Sequence, residues 1–222
     1  LRETGRRHAG LRILGPNCVG LVVPGLGLNA TFGNGLPEPG RVAFISQSGA
    51  LVTAVLDWAL SESVGFSAFV SVGNMIDVDF GDLIDHFAGD GRTEALMLYI
   101  ESITDARRFV SAARAFTRTK PIVAYKGGRF AASAAAVRSH TGRLAGEDAV
   151  YEAALERAGV VRVHGMEAMF ECAEALARHR PPEGGRLAIV TNAGGPAVIA
   201  ADQLVEARGT LAELAPETIE RL

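Results

Sequence analysis

Apolar positions along this chain fall into two alternating kinds of stretch. Short runs with few polar interruptions occupy 12–14, 41–46, 67–72, 95–100, 121–125 and 186–191. Between them, apolar residues recur at helical spacing over 50–61, 80–88, 106–118, 147–158, 166–178 and 196–207. In the first of these helices Leu51, Val52, Val55, Leu56 and Ala59 share one side. Strands with little alternation are buried on both faces, and amphipathic helices between them supply the cover. The pattern predicts an α/β fold built on a parallel sheet. Arg178-His179-Arg180-Pro181-Pro182-Glu183-Gly184-Gly185 reads as a linker, so one complete domain precedes it and the first strand and helix of a second follow.

In such sheets ligands gather at the carboxyl ends of the strands. Ser46-Gln47, Gly73-Asn74, Glu101-Ser102 and Lys126-Gly127 all fall at predicted strand ends. Two places read as strand, small-residue turn, helix: Ser46-Gln47-Ser48-Gly49 and Thr191-Asn192-Ala193-Gly194-Gly195-Pro196. Such a turn aims unbonded N–H groups and the positive end of a helix at one point, which suits a phosphate. Packing and capping also select Ser and Gly there, and Ser46 and Ser48 can serve as helix caps. His140 sits in Ser139-His140-Thr141-Gly142-Arg143-Leu144-Ala145-Gly146, after an Ala-rich run too small to build a core. A neutral imidazole is a nucleophile near neutral pH. An isolated histidine in a small-residue loop is the plain alternative, but two phosphate-suited turns point to a phosphorylated histidine held between helix N-termini.

Composition narrows the classes. The 222 residues are 48% hydrophobic with a net charge of -3, enough for a sizeable core and no electrostatic reason to bind nucleic acid or an anionic membrane. No apolar run approaches a membrane span. Cys18 and Cys172 have no metal-ligand spacing and fit a reducing, cytoplasmic setting; no metal site is expected. The chain starts without Met and stops inside a helical pattern, as an excised fragment would.

Gly15-Pro16-Asn17-Cys18-Val19-Gly20, Ile45-Ser46-Gln47-Ser48-Gly49, Val72-Gly73-Asn74 with Asp77-Val78-Asp79, Ser139-His140-Thr141-Gly142 and Thr191-Asn192-Ala193-Gly194-Gly195-Pro196 follow one another in that order. Together they resemble the NDP-forming acyl-CoA synthetase family, which includes ADP-forming acetyl-CoA synthetases and is related to succinyl-CoA synthetase. The resemblance spans essentially the whole chain. It implies that 1–24 is the tail of a Rossmann-type CoA-binding domain, 25–180 a flavodoxin-like ligase domain and 181–222 a linker and the start of a second flavodoxin-like domain.

The resemblance also implies a phosphoryl relay, in which acyl-CoA and phosphate give acyl phosphate and CoA, and the phosphoryl group passes through a histidine to ADP. His140 stands at the place of that histidine and Glu101 at that of a glutamate that orients it. Ser46, Ser48, Gly49, Asn192, Gly194 and Gly195 are the implied phosphate-binding residues, and Asn17, Gly73 and Asn74 the implied CoA- or acyl-binding ones. CoA, ATP or ADP and Mg²⁺ belong to the full-length enzyme, with none held tightly here. The expected partners are an ATP-grasp domain or subunit, a CoA-binding domain and a small carboxylic acid or acyl-CoA, in an oligomer; the fragment alone should be inactive. Outside the relay, Glu101 reads as a solvated strand-end carboxylate, Lys126 as a surface lysine, Cys18 as a small buried residue and Asp79 as a helix cap. A second reading is a ligand-sensing regulatory module fused to a GNAT-type acetyltransferase. A third, a bare nucleotide- or flavin-binding domain, lacks the aromatic pair that flavin would need.

Overall fold

A computed structural model describes residues 2–8, 10–130, 133, 147–179 and 184–221. The chain divides into two compact units, Leu1–Arg180 and Pro181–Leu222. The strands of the first unit are β1 (Leu21–Val23), β2 (Leu28–Ala30), β3 (Pro39–Ser46), β4 (Phe66–Ser71), β5 (Ala95–Ile100), β6 (Ile122–Lys126) and β7 (Val161–Val163). Its helices are α1 (Arg2–Arg7), α2 (Gly49–Ser61), α3 (Phe80–Gly89), α4 (Ala106–Phe116), α5 (Asp148–Arg157) and α6 (Met166–Arg178). The strands form one sheet in the order β2-β1-β4-β3-β5-β6-β7. The five strands from β4 to β7 along that order are parallel, while β1 pairs antiparallel with β4 and β2 with β1. The expected α/β sheet is therefore present, with an antiparallel hairpin added at one edge.

Why the strands read as continuous apolar runs is visible in the core. Ala43, Ile45, Leu96, Leu98, Ile100, Ile122 and Ala124 face one side, against Phe80, Ile84, Phe87, Phe109, Phe116 and Leu155 of α3, α4 and α5. Val42, Phe44, Ala95, Met97 and Val123 face the other, against Val52, Val55, Leu56, Met169 and Ala173 of α2 and α6. Alternation still operates, but both faces are covered, so both sets are apolar. Truncating a fully buried phenylalanine such as Phe109 in a core of this kind costs about 3–5 kcal/mol.

The predicted strand at 12–14 is not one. That stretch runs beside the 74–78 loop outside the sheet, where carbonyls of Ile13, Gly15 and Pro16 accept from the N–H groups of Val78, Ile76 and Asn74 at 3.2, 3.1 and 2.9 Å. The second unit contains β8 (Arg186–Leu187), α7 (Gly194–Glu206), β9 (Thr210–Leu211) and α8 (Pro216–Ile219). Here the predicted strand 186–191 shortens to Arg186–Leu187, because its ladder is limited to a short parallel pairing with β9.

Candidate active site

The chain leaves β3 for β4 on one side and then crosses back to β5 on the other side of β3. The carboxyl ends of β3 and β5 thus flank the point where the sheet's winding reverses, the usual place for a ligand crevice. Ser46 and Tyr99 stand opposite each other there. The Ser46 hydroxyl donates to the carbonyl of Ser48 at 2.8 Å and accepts from the Ser48 N–H at 3.0 Å. It shapes the turn and does not cap the helix. Ser48 is the cap, its hydroxyl accepting from Leu51 N–H at 3.3 Å. Gly49 and Ala50 then open α2, where N–H groups have no acceptor within the helix.

Gln47 joins β3 to β5. Only 6% exposed, its side-chain carbonyl accepts from the backbone N–H groups of Glu101 and Ser102 at 2.7 and 2.8 Å. Its amide nitrogen donates to Ser102 Oγ at 3.2 Å. Glu101 itself is buried, so the picture of a solvated strand-end carboxylate does not hold. Tyr99 shares a side-chain hydrogen bond with it. Burial first, then the charge of Glu101 and the neighbouring Tyr125, push the Tyr99 hydroxyl up to about 12.

Asn17 approaches the same turn from the other side. A cavity of about 300 Å³ is lined by Asn17, Cys18, Val19, Phe32, Gln47, Ser48, Gly49 and Ala50. The structure thus brings together residues expected to meet CoA or acyl groups and residues expected to meet phosphate. The fit is close: a Cβ on Gly49 would lie 2.5 Å from Val19 Cγ2. Gly73, with φ of +50°, meets the backbone of the same segment, and a Cβ there would lie 2.3 Å from the Pro16 carbonyl oxygen. Glycine at 73 is therefore required by packing, while Asn74 is exposed beside it.

Lys126 is not a surface lysine: it is 1% exposed, with its ammonium 4.4 Å from the centre of the Tyr151 ring and bonded to the carbonyl of Gly127. Burial lowers its pKa, against the opposing charges of Asp148 and Glu101. Asp148, at the start of α5, pairs with Arg162 and lies 3.8 Å from Arg129. Arg129 and Asp148 flank 131–146, the stretch that contains His140, and His140 lies outside the described residues. Asn192, Gly194 and Gly195 are in the second unit. Gly194 and Gly195 begin α7 with open space where a Cβ would stand, after a turn in which Ala193 N–H donates to Thr191 Oγ1 at 3.0 Å.

Asp79 caps α3 in a reciprocal box with Asp82, as its position suggested. Among the described residues no cluster of His, Cys, Asp and Glu could hold a metal ion, and no helix is long and apolar enough to cross a membrane. Gln47 fell inside a motif and at a predicted strand end, yet the sequence reading assigned it no role of its own. The available signal was its place: a long amide directly after a fully buried strand end, in the layer shared by Glu101.

Residues 39–176 match the succinyl-CoA ligase like flavodoxin domain. The chain belongs to that family, the NDP-forming acyl-CoA synthetases that its motifs resemble. It is 45% identical over 213 residues to the alpha subunit of acetate–CoA ligase [ADP-forming] II from Pyrococcus furiosus, covering 96% of this chain and 46% of that subunit. It is 36% identical to the 4-hydroxybutyrate–CoA ligase [ADP-forming] of Nitrosopumilus maritimus, covering 92% of this chain and 30% of that protein. A solved dinucleotide forming acetyl-coenzyme A synthetase 1 of Ca. Korarchaeum cryptofilum, in complex with phosphate and ADP, superimposes with a TM-score of 0.88 at 39% identity, covering 98% of this chain and 48% of that one. The chain thus spans about half the length, or less, of these relatives.

Proposed function

We propose that this chain is a catalytic module of an ADP-forming acyl-CoA synthetase, interconverting acyl-CoA, ADP and phosphate with a carboxylic acid, CoA and ATP. The observation that carries the reading is the crevice at the winding reversal. It sets the Ser46–Gly49 turn and the N-terminus of α2 beside buried Glu101 on one side and Asn17 on the other. An oxygen of inorganic phosphate attacks the acyl carbonyl, the thiolate of CoA leaves, and acyl phosphate results. Neutral His140 then attacks phosphorus, the carboxylate leaves, and phosphohistidine passes its phosphoryl group to ADP. Glu101 accepts from the far ring nitrogen, fixing the tautomer and stabilising the charged ring. The N–H groups at Gly49 and Ala50, and those at Gly194 and Gly195 with Asn192, suit the phosphoryl oxygens. Asn17, Gly73 and Asn74 border the acyl and CoA side.

In this reading 1–24 closes a CoA-binding domain, 25–180 is the ligase domain and 181–222 starts a second flavodoxin-like domain. The CoA-binding and ATP-grasp domains, the latter with Mg²⁺ and nucleotide, lie elsewhere in the complete enzyme, an oligomer of the cytoplasm. The isolated fragment is inactive. The names and lengths of the relatives support this reading, as do the two free cysteines.

The test is phosphorylation of the complete enzyme with γ-labelled ATP and Mg²⁺, with His140→Asn as comparison. Acid-labile, base-stable label that is absent from the variant and is discharged by CoA plus a carboxylic acid is the expected result. A folded complete enzyme that takes up no label sinks the relay.

A further inference from the structure

Glu101 lies on the connection that follows β5, and its carboxylate shares a hydrogen bond with Tyr99 of that strand. Its backbone is bonded to the next strand over. One buried amide, Gln47, receives both successive N–H groups, from Glu101 at 2.7 Å and Ser102 at 2.8 Å, and returns a hydrogen bond to Ser102 Oγ at 3.2 Å. Its own N–H donates to the carbonyl of Tyr99 at 3.2 Å. The residue is thus bonded to positions 99, 101 and 102, around Glu101 on both sides in sequence. A carboxamide is the group this place requires, since it must accept twice and donate once without adding charge beside a carboxylate.

We infer that Gln47 is a positioning residue: its side-chain amide sets the backbone of Glu101, and through it the direction of the Glu101 carboxylate. The inference rests on the proposed role of Glu101 toward the phosphorylated histidine. The same glutamine also lines the cavity shared with Asn17 and Gly49, so one side chain ties the phosphate-side turn to the orienting carboxylate. Movement of the Ser46–Gly49 turn is thereby transmitted to Glu101. Misplacing a catalytic group by about 1 Å costs on the order of 10²-fold in rate.

The experiment is a double-mutant cycle in the complete enzyme, measuring kcat and KM for phosphoryl transfer from ATP to the protein. The variants are Gln47→Met, Gln47→Glu, Glu101→Gln and the pairs. Gln47→Met, of similar length but with no donor and only a weak thioether acceptor, is expected to lower kcat on the order of 10²-fold while KM for ATP stays within about threefold. Gln47→Glu keeps an acceptor for both N–H groups but adds a charge beside the Glu101 carboxylate, so it is expected to cost activity while Glu101 is present and little once Glu101 is Gln. Neither substitution should slow the enzyme further once Glu101 is Gln. Additive losses in the pairs overturn the inference while leaving Glu101 in its role. No effect of Glu101→Gln alone instead removes the role of Glu101 on which the inference stands. If Gln47→Met does not fold, the cycle with Gln47→Glu decides the matter by the same criterion of additivity.

Discussion

Tyr99 stands one residue inside the end of β5, stacked on Tyr125 with ring centroids 5.7 Å apart and sharing a hydrogen bond with Glu101. Its hydroxyl is pushed up to about 12, chiefly by burial and then by the Glu101 charge. An unfolded tyrosine ionises near pH ~10. The folded value is the higher one, so the stability this proton confers is complete below about pH 10 and is lost as pH rises toward the folded value. Ultraviolet titration should show one tyrosine ionising well after the others, and Tyr99→Phe should remove that late step and flatten the fall in stability between about pH 10 and 12. A late step that survives Tyr99→Phe assigns it elsewhere. Tyr99 carries no mark in the sequence, being one more large residue in an apolar run. Glu101 stood out only as a residue at a predicted strand end, and its burial and the bonds that hold it were not readable.

Asp77 and Asp82 hold the 12–17 stretch to the rim of the sheet. The Ile13 N–H, and then Arg12, keep the Asp77 carboxyl below its ordinary value. Burial would raise Asp82, but hydrogen bonds from the Asp79 N–H, Arg12 and Arg108 outweigh it and hold that carboxyl low as well. Depressed carboxylates stabilise the fold fully above the unfolded value of ~4 and cease to do so as pH falls through their folded values. Asp77→Asn should therefore weaken the dependence of the denaturation midpoint on pH below about 4. An unchanged acid limb would remove Asp77 from this account. These contacts also explain an element that periodicity misassigned. Residues 12–14 are apolar enough for a strand, yet they find a loop as partner instead of a sheet edge. The helix 166–178 was legible to its ends because Gly165 precedes it and the apolar stripe of Met169 and Ala173 is regular. The β1–β2 hairpin was not, since strands of three residues fall below any periodic signal.

At the scale of the molecule, every buried core residue among the described ones belongs to the first unit, and α7 buries none of its residues. A chain ending at Arg180 should unfold at the same denaturant midpoint as the longer one, and a clear loss on truncation would show that 181–222 supports the core. Alternating strands and helices made the layered sheet readable from pattern alone. The hairpin that extends it, and the reversal at β3 that sets the crevice, depend on pairings between distant segments that no local pattern encodes. The sheet's two borders have a consequence of a different kind. An open sheet exposes unpaired N–H and C=O groups along each edge strand, a template on which other chains can polymerise. Here β2 and β7 are each three residues long, and at β2 the Asn29 side chain turns back onto the carbonyls of Gly33 and Gly35 at 3.1 and 2.8 Å. Borders so short offer an incoming strand too few rungs to anneal, which works against edge-to-edge joining of a strongly apolar sheet.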